Sequence, residues 1–255
     1  MKPFFYGALI GILGGLMGLG GAEFRLPVLT FVFDFATIHA VMINLVVSMV
    51  TVAASLSFRL ENAGWLVPYL PIIFTLLAGS LAGAFIGAGI ASRIDEKKLD
   101  KIVAVLLGIL AVVIVAESSF TPQHIGWHPT VLMAAGVLSG LIIGLFSSML
   151  GVAGGELIIP TVMLLYGLDI KIAGTLSLAV SLPTILVGLY RYRTKEPFAI
   201  LQPNLRFILW MALGSIAGAA LGKAMMGIVS SEILKVFLAL ILAVSAFKLY
   251  KKGLS

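Results

Sequence analysis

Long apolar stretches separated by short polar segments make up most of the chain. Several of the eight runs reach the ~20 residues that a helix needs to cross a bilayer core. The runs lie at 3–19, 40–58, 65–91, 102–116, 129–150, 172–190, 207–229 and 236–247. None alternates apolar and polar positions as the strands of a porin-type barrel do, so the pattern predicts helices. The expected fold class is an all-α polytopic membrane protein.

Composition and charge agree with a membrane location. Of the 255 residues, 60% are hydrophobic and 11% are charged, against roughly 25% charged in soluble domains. The net charge is +6, but the basic residues gather at the ends of the apolar runs, where such residues orient the chain and contact lipid headgroups. Membrane lipid is therefore an expected partner and nucleic acid is not. The first run follows Lys2 as in a secretory signal, but its small-residue pattern recurs at 140–149, so we expect it to be retained.

Two segments of nearly the same sequence interrupt the apolar pattern. The first reads GLGGAEFRLP at 18–27 and the second GVAGGELIIP at 151–160. Each places a glutamate and a proline after a glycine cluster, in surroundings where a broken backbone and a charge are both costly. The motif therefore predicts a broken or re-entrant helix in each half of a transporter built by duplication.

The similarity between the halves extends beyond the motif. A separation of 133 residues pairs Glu23 with Glu156, Pro27 with Pro160, Ser48 with Ser181 and Thr51 with Thr184, and a separation of 135 pairs Gly79-Ser80 with Gly214-Ser215. Chance explains matched glycines in Leu-rich helices, but not matched Glu, Pro, Ser and Thr at one spacing. We expect two repeats, 1–120 and 121–255, in a single integrated membrane domain. Glycines at four-residue intervals, as in Gly79-Gly83-Gly87, predict close helix packing.

The number of crossings decides whether the repeats are parallel or inverted. If 3–35 and 129–168 are re-entrant hairpins, each half crosses three times and the halves are inverted. Nearly all Lys and Arg residues then lie on one side, and the exceptions are Arg25 itself and Arg59, Lys171, Lys223 and Lys235. The positive-inside rule favours this arrangement, with both termini cytoplasmic in the cell (inner) membrane. Full crossing by both segments stays open, because 129–150 is long enough to span.

The paired motif, one copy in each half of a small polytopic chain, resembles that of the TauE/SafE sulfite exporter family. The resemblance covers essentially the whole chain. It implies passage, usually outward, of small sulfur-containing anions such as sulfite, sulfoacetate, thiosulfate or related organosulfonates. The chain departs from the family's run of three glycines at Gly20-Gly21-Ala22 and again at Ala153-Gly154-Gly155. Alanine is also small, but its methyl group limits how closely a ligand can approach the backbone.

The motif residues predict an anion site on physical grounds as well. A membrane helix that restarts after glycines points free N–H groups and its positive dipole end into the break. Proline is tolerated in the first turn of such a helix, so Pro27 and Pro160 are expected to mark the restart. Two such ends facing each other near the midplane would cradle an oxyanion. The backbone candidates for substrate binding are Gly20, Gly21, Ala22, Gly154 and Gly155.

Arg25 is the basic residue inside the first motif, and its counterpart in the second is Ile158. A guanidinium is a permanent, bidentate partner for an oxyanion, which makes Arg25 a substrate-binding candidate. The structural alternative is that Arg25 neutralises Glu23 or Glu156 or reaches an interface. Both roles can hold together.

Glu23 and Glu156 also have two interpretations. A carboxylate at a helix restart can cap free N–H groups. Alternatively, the pair acts as a gate or proton carrier: binding a proton as the anion passes would turn repulsion into coupling.

Matched polar residues follow each break: Asn44 and Ser48 in the first half, Ser177 and Ser181 in the second. A spacing of four puts each pair on one helix face, so they are candidates to line the anion site. Hydrogen bonding between helices is the alternative.

The sequence holds no catalytic constellation, phosphate loop or metal-ligand cluster, so neither an enzyme, a cofactor nor a metal is expected. The leading hypothesis is a secondary transporter, in the export direction, of small inorganic or organosulfur anions, with proton coupling as an option. A passive anion channel and a non-transporting membrane scaffold are the alternatives. A homo-oligomer is compatible with the sequence.

Overall fold

A computed structural model describes residues 1–17, 21–59, 63–117, 128–168, 170–193, 196–225 and 231–254. Within these ranges the chain forms ten α-helices and no strand. They are α1 Lys2–Met17, α2 Ala22–Phe31, α3 Thr37–Arg59, α4 Leu70–Ala91, α5 Glu96–Glu117, α6 Pro129–Leu150, α7 Gly155–Tyr166, α8 Ile170–Tyr192, α9 Leu205–Ala224 and α10 Ser231–Lys252. Gly20 and the expected repeat boundary at 120/121 lie outside the described residues.

Five segments are long and apolar enough to cross a membrane by length and composition. They are Thr37–Ser57, Gly64–Ala91, Pro129–Leu150, Ile172–Tyr192 and Leu205–Gly222. Two shorter apolar helices, Lys2–Leu16 and Gly155–Tyr166, accompany them. These segments confirm the predicted all-α polytopic class, although α9 ends at Ala224, earlier than the apolar run to 229 suggested.

The same order of elements occurs twice along the chain. In each half a long helix is followed by a short one, a long one, a short 3₁₀ segment and two more long helices. The 3₁₀ segments are Ala63–Tyr69 and Glu196–Leu201. This order is consistent with the two repeats that the sequence predicts, and their inverted orientation stays a prediction.

Helix pairs joined through glycines connect the two halves. α4 packs against α6 and α1 packs against α9. A Cβ atom added at Gly83 would overlap the backbone carbonyl of Leu141, and one at Gly218 would overlap that of Ala8. These helices approach so closely only because the contact positions lack side chains, which confirms the packing predicted from the glycine spacing.

A polar cluster, distant from the glycine motifs, connects the ends of three helices. Asp100 of α5 is 2% exposed and accepts a hydrogen bond from the Thr37 hydroxyl at the start of α3. Lys252, at the end of α10, places its Nζ 3.4 Å from Asp100 Oδ2 and 3.2 Å from Glu96 Oε1. The buried carboxylate is thus satisfied by both a hydroxyl and an ammonium, as buried charges require.

Candidate functional site

The two short helices each begin at a glycine in the left-handed backbone conformation. Gly21 precedes α2 with φ 72°, and Gly154 precedes α7 with φ 78°. Side chains other than glycine rarely adopt this conformation, so these positions set where the chain turns back into a helix. Neither glycine has a side chain to cap the first turn. In α7 the Leu157 N–H donates to the Gly154 carbonyl at 3.1 Å, and in α2 the Glu23 carboxyl lies close to its own backbone N–H.

The prolines of the motif lie beyond the first turn of each helix. Pro27 is inside α2 and Pro160 inside α7, each at the sixth residue of its helix. The backbone break itself lies at the left-handed glycines that precede each helix. Each proline lacks the N–H that would bond the carbonyl four residues earlier, which belongs to Glu23 in α2 and Glu156 in α7.

Arg25 is completely buried, and neutral side chains orient its guanidinium. Nη1 donates to Asn44 Oδ1 at 3.1 Å and to Ser48 Oγ at 3.0 Å. Nη2 donates to Ser215 Oγ at 3.3 Å. The partners come from α3 and α9, so helices from both halves hold this one cation. The fork is therefore fixed in direction, as bidentate recognition of an oxyanion requires.

Asn44 connects the Arg25 site to the helix break. Its Nδ2 donates to the carbonyl of Ala22 at 2.9 Å, while its Oδ1 accepts from Arg25. The amide thus uses both of its ends within the site, which fixes its orientation. The structure brings together Ala22, Arg25, Asn44 and Ser48, four of the residues predicted from the sequence to bind substrate.

Glu23 and Glu156 meet across the two halves. Both side chains are buried, at 1% and 4% exposure. Their carboxyl groups are close enough to interact directly. An ionised carboxylate only accepts hydrogen bonds, so a hydrogen bond between the two groups requires at least one proton on the pair. The starts of α2 and α7 face each other through these two side chains, and the charge of Arg25 lies near Glu23.

The corresponding part of the second half is apolar. Ile158 stands where Arg25 stands in the first half and is 2% exposed within a cluster that includes Leu76, Leu176 and Val180. Ser177 Oγ donates to the carbonyl of Gly174 in its own helix at 2.9 Å. The two predicted polar faces therefore make different contacts. Asn44 and Ser48 bond the Arg25 guanidinium, whereas Ser177 has no equivalent cation to bond because Ile158 stands at that position.

Oγ of Ser181 and Oε2 of Glu23 are among the buried polar atoms for which the described residues supply no hydrogen-bond partner. Buried polar atoms in proteins are nearly always bonded. These two atoms are therefore suited to bond to a substrate or to water inside the protein.

Ser215 and its counterpart Ser80 were not among the predicted site residues. Ser215 bonds Arg25, whereas Ser80 Oγ lies 2.8 Å from Thr184 Oγ1. All three polar side chains are buried. The matched Gly79-Ser80 and Gly214-Ser215 dipeptides carried the signal, since a serine kept beside a packing glycine in both halves is unusual for a purely apolar interface.

Comparison with known proteins agrees with this architecture. The family described as "Sulfite exporter TauE/SafE" matches residues 4–249. The chain belongs to the TauE/SafE sulfite exporter family. A probable membrane transporter protein of Methanocaldococcus jannaschii is 27% identical over 93% of this chain and 90% of its own length. A probable membrane transporter protein of Xylella fastidiosa is 30% identical over 62% of this chain and 60% of its own. No solved structure matches the chain significantly.

Membership of the TauE/SafE family gives the general activity. The protein is a multi-pass membrane transporter, as the family and its relatives' names indicate. These names describe transport rather than an enzymatic reaction. Within the TauE/SafE fold of this chain, the paired glycine motifs are the starts of α2 and α7, and Arg25 lies one turn into the first of them.

Proposed function

We propose that this protein is a secondary transporter that exports small sulfur-containing anions, such as sulfite, thiosulfate or organosulfonates. The family's description names sulfite export. The observation that carries the proposal is the buried guanidinium of Arg25, oriented by hydrogen bonds to neutral groups of α3 and α9. Those hydrogen bonds leave the positive charge in place, and a permanent cation with a fixed fork suits an oxyanion.

The anion site is proposed at the two helix breaks. The starts of α2 and α7 approach each other through the side chains of Glu23 and Glu156. The positive dipole ends of the two helices favour a negative charge between them, as in transporters with discontinuous helices. An anion reaching this place would have Arg25 on the side of the first half and the unbonded hydroxyl of Ser181 on the side of the second.

Proton coupling is proposed to reside in the glutamate pair. With one proton between Glu23 and Glu156, the pair carries one negative charge instead of two, which lowers the repulsion of an incoming anion. A second proton would remove the repulsion entirely, and its release after passage would complete the cycle. Anion and proton would then move in the same direction. We also propose that both termini face the cytoplasm, in keeping with the distribution of basic residues.

Purified protein in liposomes tests the proposal. We expect saturable uptake of labelled sulfite, thiosulfate or methanesulfonate that a pH gradient drives against the anion's own gradient. Sulfate and chloride serve as comparison anions. A passive channel would equilibrate the anion and never concentrate it. Absence of flux for every sulfur anion under every gradient would contradict the proposal, provided that the reconstituted protein is folded.

A further inference from the structure

Ser215 is a buried polar residue of α9 that has no role in the transport mechanism proposed above. Its side chain is 0% exposed, and its hydroxyl accepts a hydrogen bond from Arg25 Nη2 at 3.3 Å. The two residues are 190 positions apart in the chain and belong to different halves. We propose that Ser215 is a positioning residue for Arg25, and that the packing of α1 on α9 sets its place. This inference rests on the proposed role of Arg25 in binding the anion.

The hydrogen bonds of Arg25 are divided between its two terminal nitrogens, and Ser215 therefore helps to fix the direction of the guanidinium plane. Asn44 and Ser48 both bond Nη1 and both lie on α3. Ser215 bonds the other terminal nitrogen, Nη2, from α9. Contacts at one nitrogen leave the guanidinium plane free to rotate about that point, whereas contacts at two nitrogens from two helices fix it. A bidentate partner for an oxyanion needs the plane to be fixed.

The position of Ser215 depends in turn on a glycine of the first half. A Cβ atom added at Gly11 of α1 would overlap the backbone carbonyl of Ser215. The absence of a side chain at Gly11 therefore lets α9 come close enough to reach Arg25 from the opposite half. A displacement of α9 relative to α1 would move the Ser215 hydroxyl away from Nη2. Helix packing between the halves is thus linked mechanically to the orientation of the anion-binding group.

The same arrangement occurs without the cation where Ser80 on α4 of the first half meets α6 of the second half. Ser80 is buried, and its carbonyl would meet a Cβ added at Gly144. Its hydroxyl, however, bonds Thr184 at 2.8 Å, because Ile158 occupies the place equivalent to Arg25. The chain therefore supplies a matched control: a serine with the same burial and the same glycine contact, but with no arginine to position.

The test measures initial rates of thiosulfate uptake into proteoliposomes for Ser215→Ala and Ser80→Ala. Loss of a hydrogen bond to a charged group predicts that Ser215→Ala raises KM about tenfold, with Vmax within about twofold of wild type. Ser80→Ala should leave KM unchanged. An unchanged KM in Ser215→Ala, or an equal rise in both variants, would overturn the proposal.

A second comparison separates positioning from general packing. Lysine carries a point-like ammonium instead of a planar fork, so it has no guanidinium plane for Ser215 to orient. In an Arg25→Lys background, Ser215→Ala should therefore add no further rise in KM, and an additive rise would contradict the proposal. The contact between Ser215 and Arg25 can also be tested without transport, in detergent-purified protein. Ser215→Ala should lower Tm when Arg25 is present, but should not lower it in an Arg25→Met background. The Tm measurement tests the hydrogen bond between Ser215 and Arg25, whereas the flux of the wild-type protein tests the transport proposal. Failure of one can therefore be told from failure of the other.

Discussion

The pairing of the buried Glu23 and Glu156 carboxyl groups predicts an energetic coupling between protons and the transported anion. Two carboxyl groups form a hydrogen bond only while at least one proton is present. We consider the double replacement of Glu23 and Glu156 by Gln, which keeps hydrogen-bond donors and acceptors at both places but leaves neither side chain a proton to release. The variant should fold, because the two amides can still bond each other, yet it should lose the coupling.

The expected magnitude follows from one proton moving with each anion. A gradient of one pH unit is worth about 1.36 kcal/mol per proton, which supports an anion concentration ratio of about ten at equilibrium. With the membrane potential held at zero, the anion should accumulate on the alkaline side, since proton and anion move together. In the double variant, with Gln in place of both Glu23 and Glu156, the ratio should fall to about one.

Accumulation of labelled thiosulfate in proteoliposomes measures this ratio, because the charge of thiosulfate is constant near neutral pH. Asp95→Asn is a suitable control, since the Asp95 side chain is 77% exposed and pairs only with an exposed lysine in the described contacts. It should accumulate thiosulfate like wild type. Tenfold accumulation by the double variant, or wild-type flux without any accumulation, would refute the assignment of the proton to this pair.

Further predictions concern the packing and the polar cluster at the helix ends. Gly83→Ala should destabilise the protein by roughly 1–3 kcal/mol, because the added methyl overlaps the Leu141 carbonyl. Gly108→Ala, which meets nothing within 4 Å, should leave Tm unchanged or raise it; equal losses in both variants would refute the packing explanation. Asp100→Ala should cost roughly 1–3 kcal/mol by leaving the buried Thr37 hydroxyl without its acceptor. Asp95→Asn, which removes an exposed charge but keeps a capping side chain before α5, should change thermal stability by less than about 0.5 kcal/mol, and a similar loss there would contradict this account.

The helices were predictable because their signals are local. Each apolar run contains enough residues to show its length and period, and the structure places a helix over every one of them. The glycine spacing predicted contacts such as that of Gly83 with Leu141 because small residues at four-residue intervals line one helix face. The burial of Arg25 also followed from its apolar neighbours in sequence.

The contacts of the site depend on chain segments that are far apart. Ser215 reaches Arg25 only because α9 packs against α1 from the other half, which no local pattern reveals. The symmetry of the repeat also predicted the same polar contacts in both halves, which the structure does not show. Ser177 matches Asn44 in sequence, yet it bonds its own helix, because Ile158 makes the second half apolar where the first half carries a charge.

The central claim is that Arg25 binds the transported anion, and equilibrium binding to the purified protein tests it most directly. Thiosulfate and sulfite should bind wild type saturably and Arg25→Gln not measurably, since glutamine fills part of the space without the charge. Ile158→Leu, at the equivalent position in the second half, should bind like wild type. Equal affinity of wild type and a folded Arg25→Gln variant would contradict the account.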